Sequence, residues 1–271
     1  MKKNFSVFLI FFGTIGFLSC GEADYEKAKI KFGIMKYEKQ SEICDSTGCA
    51  KIVLEYPAIK TSFNSAVKDS LEAYIMNTLL ENYSQQLKLK SLDEMAKVFM
   101  ADYVGAKKDF PDYTIPWEIN NTISVIYNSN SIVSFQSELY HFTGGAHGNS
   151  GVYFSNFNSQ DGSKLLLSDL MNSNYKSELN KIAEKIFRKE KKLDPSASLE
   201  AEGFWFADNK FSLNENFGIK NDGLVFYFNF YEVAPYAMGP TEIRIPYSEI
   251  KSLIKQEGLL NKVLDELTIN N

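Results

Sequence analysis

Both histidines of the chain lie within one glycine-rich segment, Tyr140–Asn149. Its sequence is YHFTGGAHGN, so His141 and His147 stand on either side of a Gly-Gly pair. Imidazole nitrogens bind Zn²⁺, and a carboxylate such as Glu138 or Asp161 would have to complete a site that two histidines cannot complete alone. The alternative is that the glycines form a tight connection between strands and that each histidine hydrogen-bonds to backbone there. We favour this structural interpretation and expect no metal or other cofactor.

A second distinctive segment, FYFNFYEVAPYAMGP at residues 226–240, combines aromatic side chains with two prolines. Aromatic residues on both faces of its first part predict a strand that is buried on both sides or has an exposed apolar rim. The part from 235 to 240 predicts a rigid loop, and such loops form contact surfaces at low entropic cost.

Motifs for other kinds of catalysis are incomplete or missing from the sequence. Residues 148–151 (GNSG) lack the second spacer of the G-x-S-x-G nucleophile motif. The chain has neither a Walker nor a dinucleotide-binding glycine pattern. Its 34 acidic residues contain no pair that stands out as the carboxylates of a glycosidase. The sequence therefore favours binding over catalysis.

The N-terminus has the pattern of an export signal. A basic start, Met1-Lys2-Lys3, precedes the uncharged run Phe5–Leu18, which is shorter than the roughly 20 residues of a membrane-spanning helix. The following Leu18-Ser19-Cys20-Gly21 resembles the lipobox of bacterial lipoproteins, a family in which the peptide is cut before the cysteine and the thiol is diacylated. An ordinary signal peptide with an incidental Cys20 is the alternative.

This resemblance implies that residues 1–19 are a signal peptide and that acylated Cys20 anchors the chain in a lipid bilayer. The polar residues 20–30 would then form a tether. We expect a location at the bacterial cell envelope, facing the periplasm or the outside of the cell.

The two remaining cysteines flank a predicted turn. Between Cys44 and Cys49 lie Asp-Ser-Thr-Gly, which are typical turn formers. In an oxidising compartment we expect a disulfide, which stabilises the fold by roughly 2 kcal/mol for so short a loop. Metal binding by two thiols alone is the weaker alternative.

Composition and charge limit the fold and the partners. The 271 residues are 44% apolar and 23% charged, which is typical of a globular protein. The net charge is −5, from 29 basic and 34 acidic residues, and becomes −7 when Lys2 and Lys3 are removed with the signal peptide. Without a long basic run, nucleic acid is not an expected partner.

Hydrophobic periodicity predicts an α+β fold, in which helices lie between antiparallel hairpins. Predicted helices cover residues 61–89, 92–106, 174–192, 247–255 and 259–267, and predicted strands cover 117–127, 133–139, 151–157, 204–206, 217–219 and 224–231. Two further strands are predicted between Phe32 and Ile59. The prolines at 111 and 116 predict a boundary between an N-terminal subdomain, 31–110, and a C-terminal domain, 111–271.

Several motifs between residues 117 and 256 carry a family resemblance. They are Tyr140–Gly148, Asn156-Phe157-Asn158, Asp161-Gly162, Leu167-Ser168-Asp169-Leu170, Tyr231–Pro240 and Ile245-Pro246-Tyr247. In order and spacing they are similar to the extracellular domain of lysozyme-sensing anti-sigma factors, which also occurs beside peptidoglycan deacetylase domains. Residues 37–100 resemble its usual N-terminal companion.

The resemblance implies an α+β fold and a non-catalytic binding role, because this region binds lysozyme in the anti-sigma proteins. It also implies that Pro235 and Tyr236 contact the ligand. A sigma-binding segment, a membrane-spanning helix and a deacetylase motif are missing from this sequence, so neither signalling nor deacetylation is implied.

The leading hypothesis is therefore an envelope lipoprotein that binds a protein, such as a lysozyme, or an envelope glycan. Its acidic mature chain suits a basic partner. The main alternative is a hydrolase that acts on peptidoglycan or another envelope polymer, with a metal at His141 and His147. A purely structural role is the third hypothesis.

Overall fold

The computed structural model describes residues 29–44, 48–62, 64–81, 83, 87–110 and 112–269. The predicted signal peptide and the lipid anchor at Cys20 lie outside the described residues. The strands are β1 (Lys31–Gln40), β2 (Ala50–Thr61), β3 (Trp117–Asn128), β4 (Ile132–Phe142), β5 (Asn149–Asn158), β6 (Lys164–Leu165), β7 (Phe217–Ile219), β8 (Gly223–Phe228) and β9 (Thr241–Pro246). The α-helices are α1 (Ser65–Glu81), α2 (Leu92–Asp109), α3 (Leu167–Leu170), α4 (Tyr175–Lys191), α5 (Tyr247–Ile250) and α6 (Leu259–Ile269).

The larger sheet has six strands in the order β1-β2-β3-β4-β5-β6. All neighbours are antiparallel except β2 and β3, which are parallel. A parallel pair needs a long crossover connection, and here α1 and α2 lie in that connection. The α+β class is confirmed.

One hydrophobic core lies between the larger sheet and the two helices of the crossover. It contains Leu71 of α1, Phe99 of α2, and Ile52 and Ile119 from the parallel strands, all fully buried. Helix α2 begins as predicted, because the Ser91 hydroxyl accepts a hydrogen bond from the backbone N–H of Glu94 at 3.1 Å.

A second core lies around the smaller sheet, which has the order β7-β8-β9. Phe187 of α4 packs with Phe226 of β8 and Ile243 of β9, and all three are fully buried. Strand β7 also lies against β3, β4 and β5. The smaller sheet therefore approaches the face of the larger sheet that the crossover helices leave open.

The larger sheet runs across the predicted boundary between residues 110 and 111, since β2 and β3 are hydrogen-bonded neighbours. One core draws on residues from 30 to 157 and the other on residues from 127 to 263. Strands β3 and β4 thus contribute to both cores. The proposed division into subdomains stays a prediction.

Several elements differ from their predictions. Helix α1 ends at Glu81 rather than 89, and strand β8 ends at Phe228 rather than 231. Helix α1 begins at Ser65 rather than 61 because β2 continues through Thr61. Residues 204–206 form no strand, although Phe204 and Phe206 are buried beside Phe187. Strand β9 was not predicted because its alternating residues follow the Pro-Gly-rich loop without a turn of their own.

Candidate functional site: an aromatic platform beside a polar cleft

A cleft of about 330 Å³ lies on the open face of the larger sheet. Its floor consists of β3, β4 and β5, and its wall consists of the end of β8 and the two residues that follow. The lining residues are Asn120, Thr122, Glu138, Leu139, Tyr140, Ser150, Gly151, Val152, Tyr227, Asn229 and Phe230. Glu138 is the one acidic side chain in this lining, which contains no basic side chain, so the cleft is polar with a single carboxyl group.

Two asparagines attach the wall of the cleft to its floor. The Asn229 side chain accepts from the backbone N–H of Val152 at 2.7 Å and donates to the carbonyl of Val152 at 3.1 Å. Asn216 accepts from the N–H of Phe154 at 2.9 Å and also donates to the carbonyl of Val152 at 2.8 Å. Along this part of β5, the two side-chain amides make the hydrogen bonds that the backbone of a neighbouring strand would otherwise make.

The chain turns sharply after Asn229. The backbone N–H of Glu232 donates to the Asn229 carbonyl, and the Glu232 carboxylate accepts from the Asn229 N–H at 2.8 Å. Within this turn Tyr231 has a left-handed backbone, with φ of 62°. A bulky residue in that region is strained, and such strain clusters at functional sites. Despite this cost the residue is 57% exposed.

Four ring side chains meet at the mouth of the cleft, and we call them the aromatic platform: His147, Phe230, Tyr231 and Tyr236. Tyr236 stacks on Phe230 and on His147, with ring centroids 4.4 and 4.5 Å apart. The Tyr231 ring lies 5.5 Å from that of Tyr236. Because Phe230 also lines the cleft, the platform and the cleft form one continuous surface.

Further exposed apolar side chains lie close to the platform. The indole N–H of Trp205 donates to the carbonyl of Glu232 at 3.1 Å, which holds it against the same turn. Trp205 is 48% exposed, and Met238, in the short 3₁₀ helix Tyr236–Met238, is 41% exposed. Exposed apolar groups gathered in this way are typical of a binding surface.

The glycine-rich connection between β4 and β5 allows His147 to reach the platform. Gly144 has φ of 101°, which side chains other than glycine rarely adopt. At Gly148 a Cβ atom would lie 2.3 Å from the Tyr140 ring, so only glycine fits beside that cleft residue. The His147 Nδ1 lies 3.0 Å from the Gly148 carbonyl oxygen.

The other histidine has a different environment. His141 lies on β4, where its Nδ1 is buried without a hydrogen-bond partner in the described part of the chain. Burial lowers the pKa of its imidazole, because the charged form loses solvation. Within the described ranges, no group of three or more His, Cys, Asp or Glu side chains is arranged to hold a metal ion.

The residues predicted from the sequence thus lie in different parts of the fold. Tyr236 lies at the centre of the platform, and the exposed Pro235 is the N-cap of its 3₁₀ helix. Cys44 and Cys49 form a disulfide between β1 and β2, with an S–S distance of 2.04 Å. Asn229 and Tyr231 lie within the predicted aromatic segment 226–240, but neither was assigned a role of its own, because a side chain that pairs with a strand and a strained backbone leave no periodic signal.

Helices in the described part of the chain are all too short or too polar to cross a membrane.

Two family models match different parts of the chain. Residues 43–150 match the model named deacetylase PdaC, and residues 168–248 match DUF3298, described as a protein of unknown function. The cleft draws on both matched regions. A relation to anti-sigma factors stays a prediction.

Curated relatives match over limited lengths. The peptidoglycan-N-acetylmuramic acid deacetylase PdaC of Bacillus subtilis is 27% identical over 148 residues, which are 54% of this chain and 29% of that protein. The immunogenic protein MPT64 of Mycobacterium tuberculosis is 45% identical over 40 residues, 15% of this chain and 18% of its own. The chain therefore spans less than a third of each of these two relatives.

Two solved structures share the fold. A DUF3298-family protein from Bacteroides fragilis has a TM-score of 0.69 at 21% identity, covering 86% of this chain and 97% of its own. A DUF3298-family protein from Pseudomonas aeruginosa has a TM-score of 0.65 at 19% identity, covering 83% of this chain and 94% of its own.

Proposed function

We propose that this chain is a non-catalytic binding module of the bacterial cell envelope whose cleft takes a glycan strand of peptidoglycan. The observation that carries the proposal is the aromatic platform, in which Tyr236 stacks on Phe230 and on His147 at the mouth of a polar cleft. The relative PdaC, a peptidoglycan-N-acetylmuramic acid deacetylase by name, supports the choice of peptidoglycan. An acylated Cys20 would hold the module at the membrane.

The chemistry of the cleft suits a sugar. A pyranose ring presents apolar C–H faces, which pack on aromatic rings, and a rim of hydroxyl and amide groups. Amide, hydroxyl and carboxylate groups of Asn120, Thr122 and Glu138 lie where such a rim would need hydrogen-bond partners. The single carboxylate also disfavours a strongly anionic ligand.

The direct test is binding of the mature chain to purified peptidoglycan, measured by co-sedimentation, and to soluble glycan fragments, measured by calorimetry. We expect Tyr236→Ala to cost about 2 kcal/mol of binding free energy, or roughly 30-fold in Kd, because it removes a central aromatic anchor. Tyr153→Ala is the matched control, since Tyr153 is 48% exposed and follows Val152 on the opposite face of β5. Equal losses for both variants, or no binding by the unaltered chain, would rule out the cleft as the glycan site.

A basic, lysozyme-like protein is the second candidate ligand. The exposed ring of Tyr231 beside Tyr236, and the exposed Trp205 that hydrogen-bonds to Glu232, favour it, because a protein partner buries such side chains at the centre of an interface. The acidic mature chain would speed association with a basic protein. Calorimetry with a basic lysozyme at low and high salt separates the two ligands, and no binding at tens of micromolar in low salt removes this candidate.

The hydrolase alternative has its own test. Stoichiometric zinc in the purified mature chain, lost in both His141→Ala and His147→Ala, would support a metal-dependent enzyme over a binding module.

A further inference from the structure

The open face of the larger sheet extends well beyond the cleft. Strand register places two rows of side chains on this face, from the outer strand β1 to β5. One row is Glu38, Val53, Asn120, Tyr140 and Ser150, and the other is Lys36, Glu55, Thr122, Glu138 and Val152. The smaller sheet approaches β3, β4 and β5 through β7, so the β1 and β2 ends of both rows are left in solvent.

The charges on this extension are paired with each other. The Lys36 ammonium lies 2.9 Å from the Glu55 carboxylate, and the Lys51 ammonium lies 2.7 Å from the Glu38 carboxylate. These side chains remain between 40% and 75% exposed. The surface is therefore hydrophilic, accessible and nearly neutral. A nucleic acid would need unpaired cations, and an apolar protein face would need apolar contacts.

We propose that this face continues the cleft, and that the ligand is an extended, uncharged glycan chain that crosses the strands from β5 towards β1. The proposal rests on the proposed function and adds that several successive sugar rings are bound. Two features of the face argue for this occupant: both rows run without interruption from the cleft lining, and the paired charges match a neutral polymer rich in hydroxyl and amide groups. Four strand spacings separate β5 from β1, or about 19 Å.

Binding should therefore depend on the length of the ligand. The probes are β-1,4-linked N-acetylglucosamine oligomers of two to six units, measured by calorimetry against the mature chain. If each added ring gains about one net hydrogen bond, the affinity should rise about fivefold to tenfold per sugar until the face is filled.

One substitution separates the extension from the cleft. Val53→Arg places a long, charged side chain in the first row, outside the cleft lining. We expect it to abolish the gain of long oligomers over the disaccharide while disaccharide affinity stays unchanged. Val104→Arg is the matched control, because Val104 is 37% exposed on α2, a helix that packs on the opposite face of the sheet. If urea unfolding shows that Val53→Arg does not fold, Glu38→Arg at an exposed position of the same row replaces it.

The outcomes distinguish this inference from the proposed function. Equal affinity for all oligomer lengths, with no effect of Val53→Arg, overturns the extended site and leaves a small glycan site in the cleft. Lack of binding by every oligomer overturns both. Binding of a basic lysozyme that Val53→Arg weakens, without oligomer binding, would assign the face to a protein instead.

Discussion

Replacing Tyr231 by asparagine should separate binding from stability. Its left-handed backbone costs about 1–2 kcal/mol in a residue of this kind, whereas asparagine adopts the same conformation readily. The strain therefore opposes folding. Because the ring is also exposed, stability does not explain a tyrosine at this position, which argues that the ring contacts a ligand.

The two energetic effects of Tyr231→Asn on folding nearly cancel. Tyr231 is 57% exposed, so a little under half of its surface is covered. For a tyrosine this corresponds to about 80 Å², and losing it costs about 2 kcal/mol. Relief of the backbone strain offsets about 1–2 kcal/mol. We expect the free energy of unfolding to change by less than about 1 kcal/mol, while the affinity for glycan oligomers falls by about tenfold or more.

Urea denaturation gives the stability, and calorimetry with an N-acetylglucosamine tetramer gives the affinity. Tyr153→Asn is the control, since that tyrosine is similarly exposed but lies away from the cleft lining. It should leave the affinity unchanged. A loss of more than about 2 kcal/mol in the unfolding free energy of Tyr231→Asn, with unchanged affinity, would show that the ring supports the fold and would refute this reasoning.

Three further predictions concern other parts of the chain. Cys20→Ala should release the protein from membranes, and mass spectrometry of the wild-type N-terminal peptide should find acylation; retention of the variant would contradict the lipid anchor. Replacing Cys44 and Cys49 by serine should lower the free energy of unfolding by about 2 kcal/mol without abolishing folding, and two alkylatable thiols in the unreduced native protein would contradict a native disulfide. Burial lowers the pKa of His141, so the stability that is fully present above the unfolded-state pKa of about 6.5 should be lost as the pH falls towards the lower folded pKa. His141→Gln should flatten this dependence in urea melts between about pH 7.5 and 5.5, and an unaltered slope would exclude His141 as its source.

Elements with strong local signals could be predicted from the sequence. Helix α2 has an N-cap at Ser91 and a regular apolar stripe, and it begins at the predicted residue. Strands β7 and β8 pair as antiparallel neighbours where the strands 217–219 and 224–231 were predicted. The parallel pairing of β2 with β3 has no such signal, because both strands resemble antiparallel ones and only the crossover helices force the parallel direction.

The candidate site, too, could be predicted from the sequence only in part. Both of its distinctive segments were recognised by composition, the histidine segment for its glycines and the loop at Tyr236 for its aromatic residues. Their meeting in a His147–Tyr236 stack depends on contacts between distant parts of the chain. Composition predicts that such segments form contacts but does not specify which ones.

The cleft itself depends on residues that are usually assigned to turns. Strand β7 approaches the larger sheet closely because Gly218 has no side chain, and a Cβ atom there would lie 2.5 Å from the Phe154 ring. Next to it, Asn216 hydrogen-bonds to β5 in place of a strand, and Asn229 does the same where the chain leaves β8. These contacts fix the smaller sheet over one end of the larger one, which leaves the remaining face open beside the platform. In a sequence, glycine and asparagine usually predict turns. Here the glycine allows two strands to approach closely and the asparagines hydrogen-bond to a strand, so the sequence pattern cannot predict the cleft.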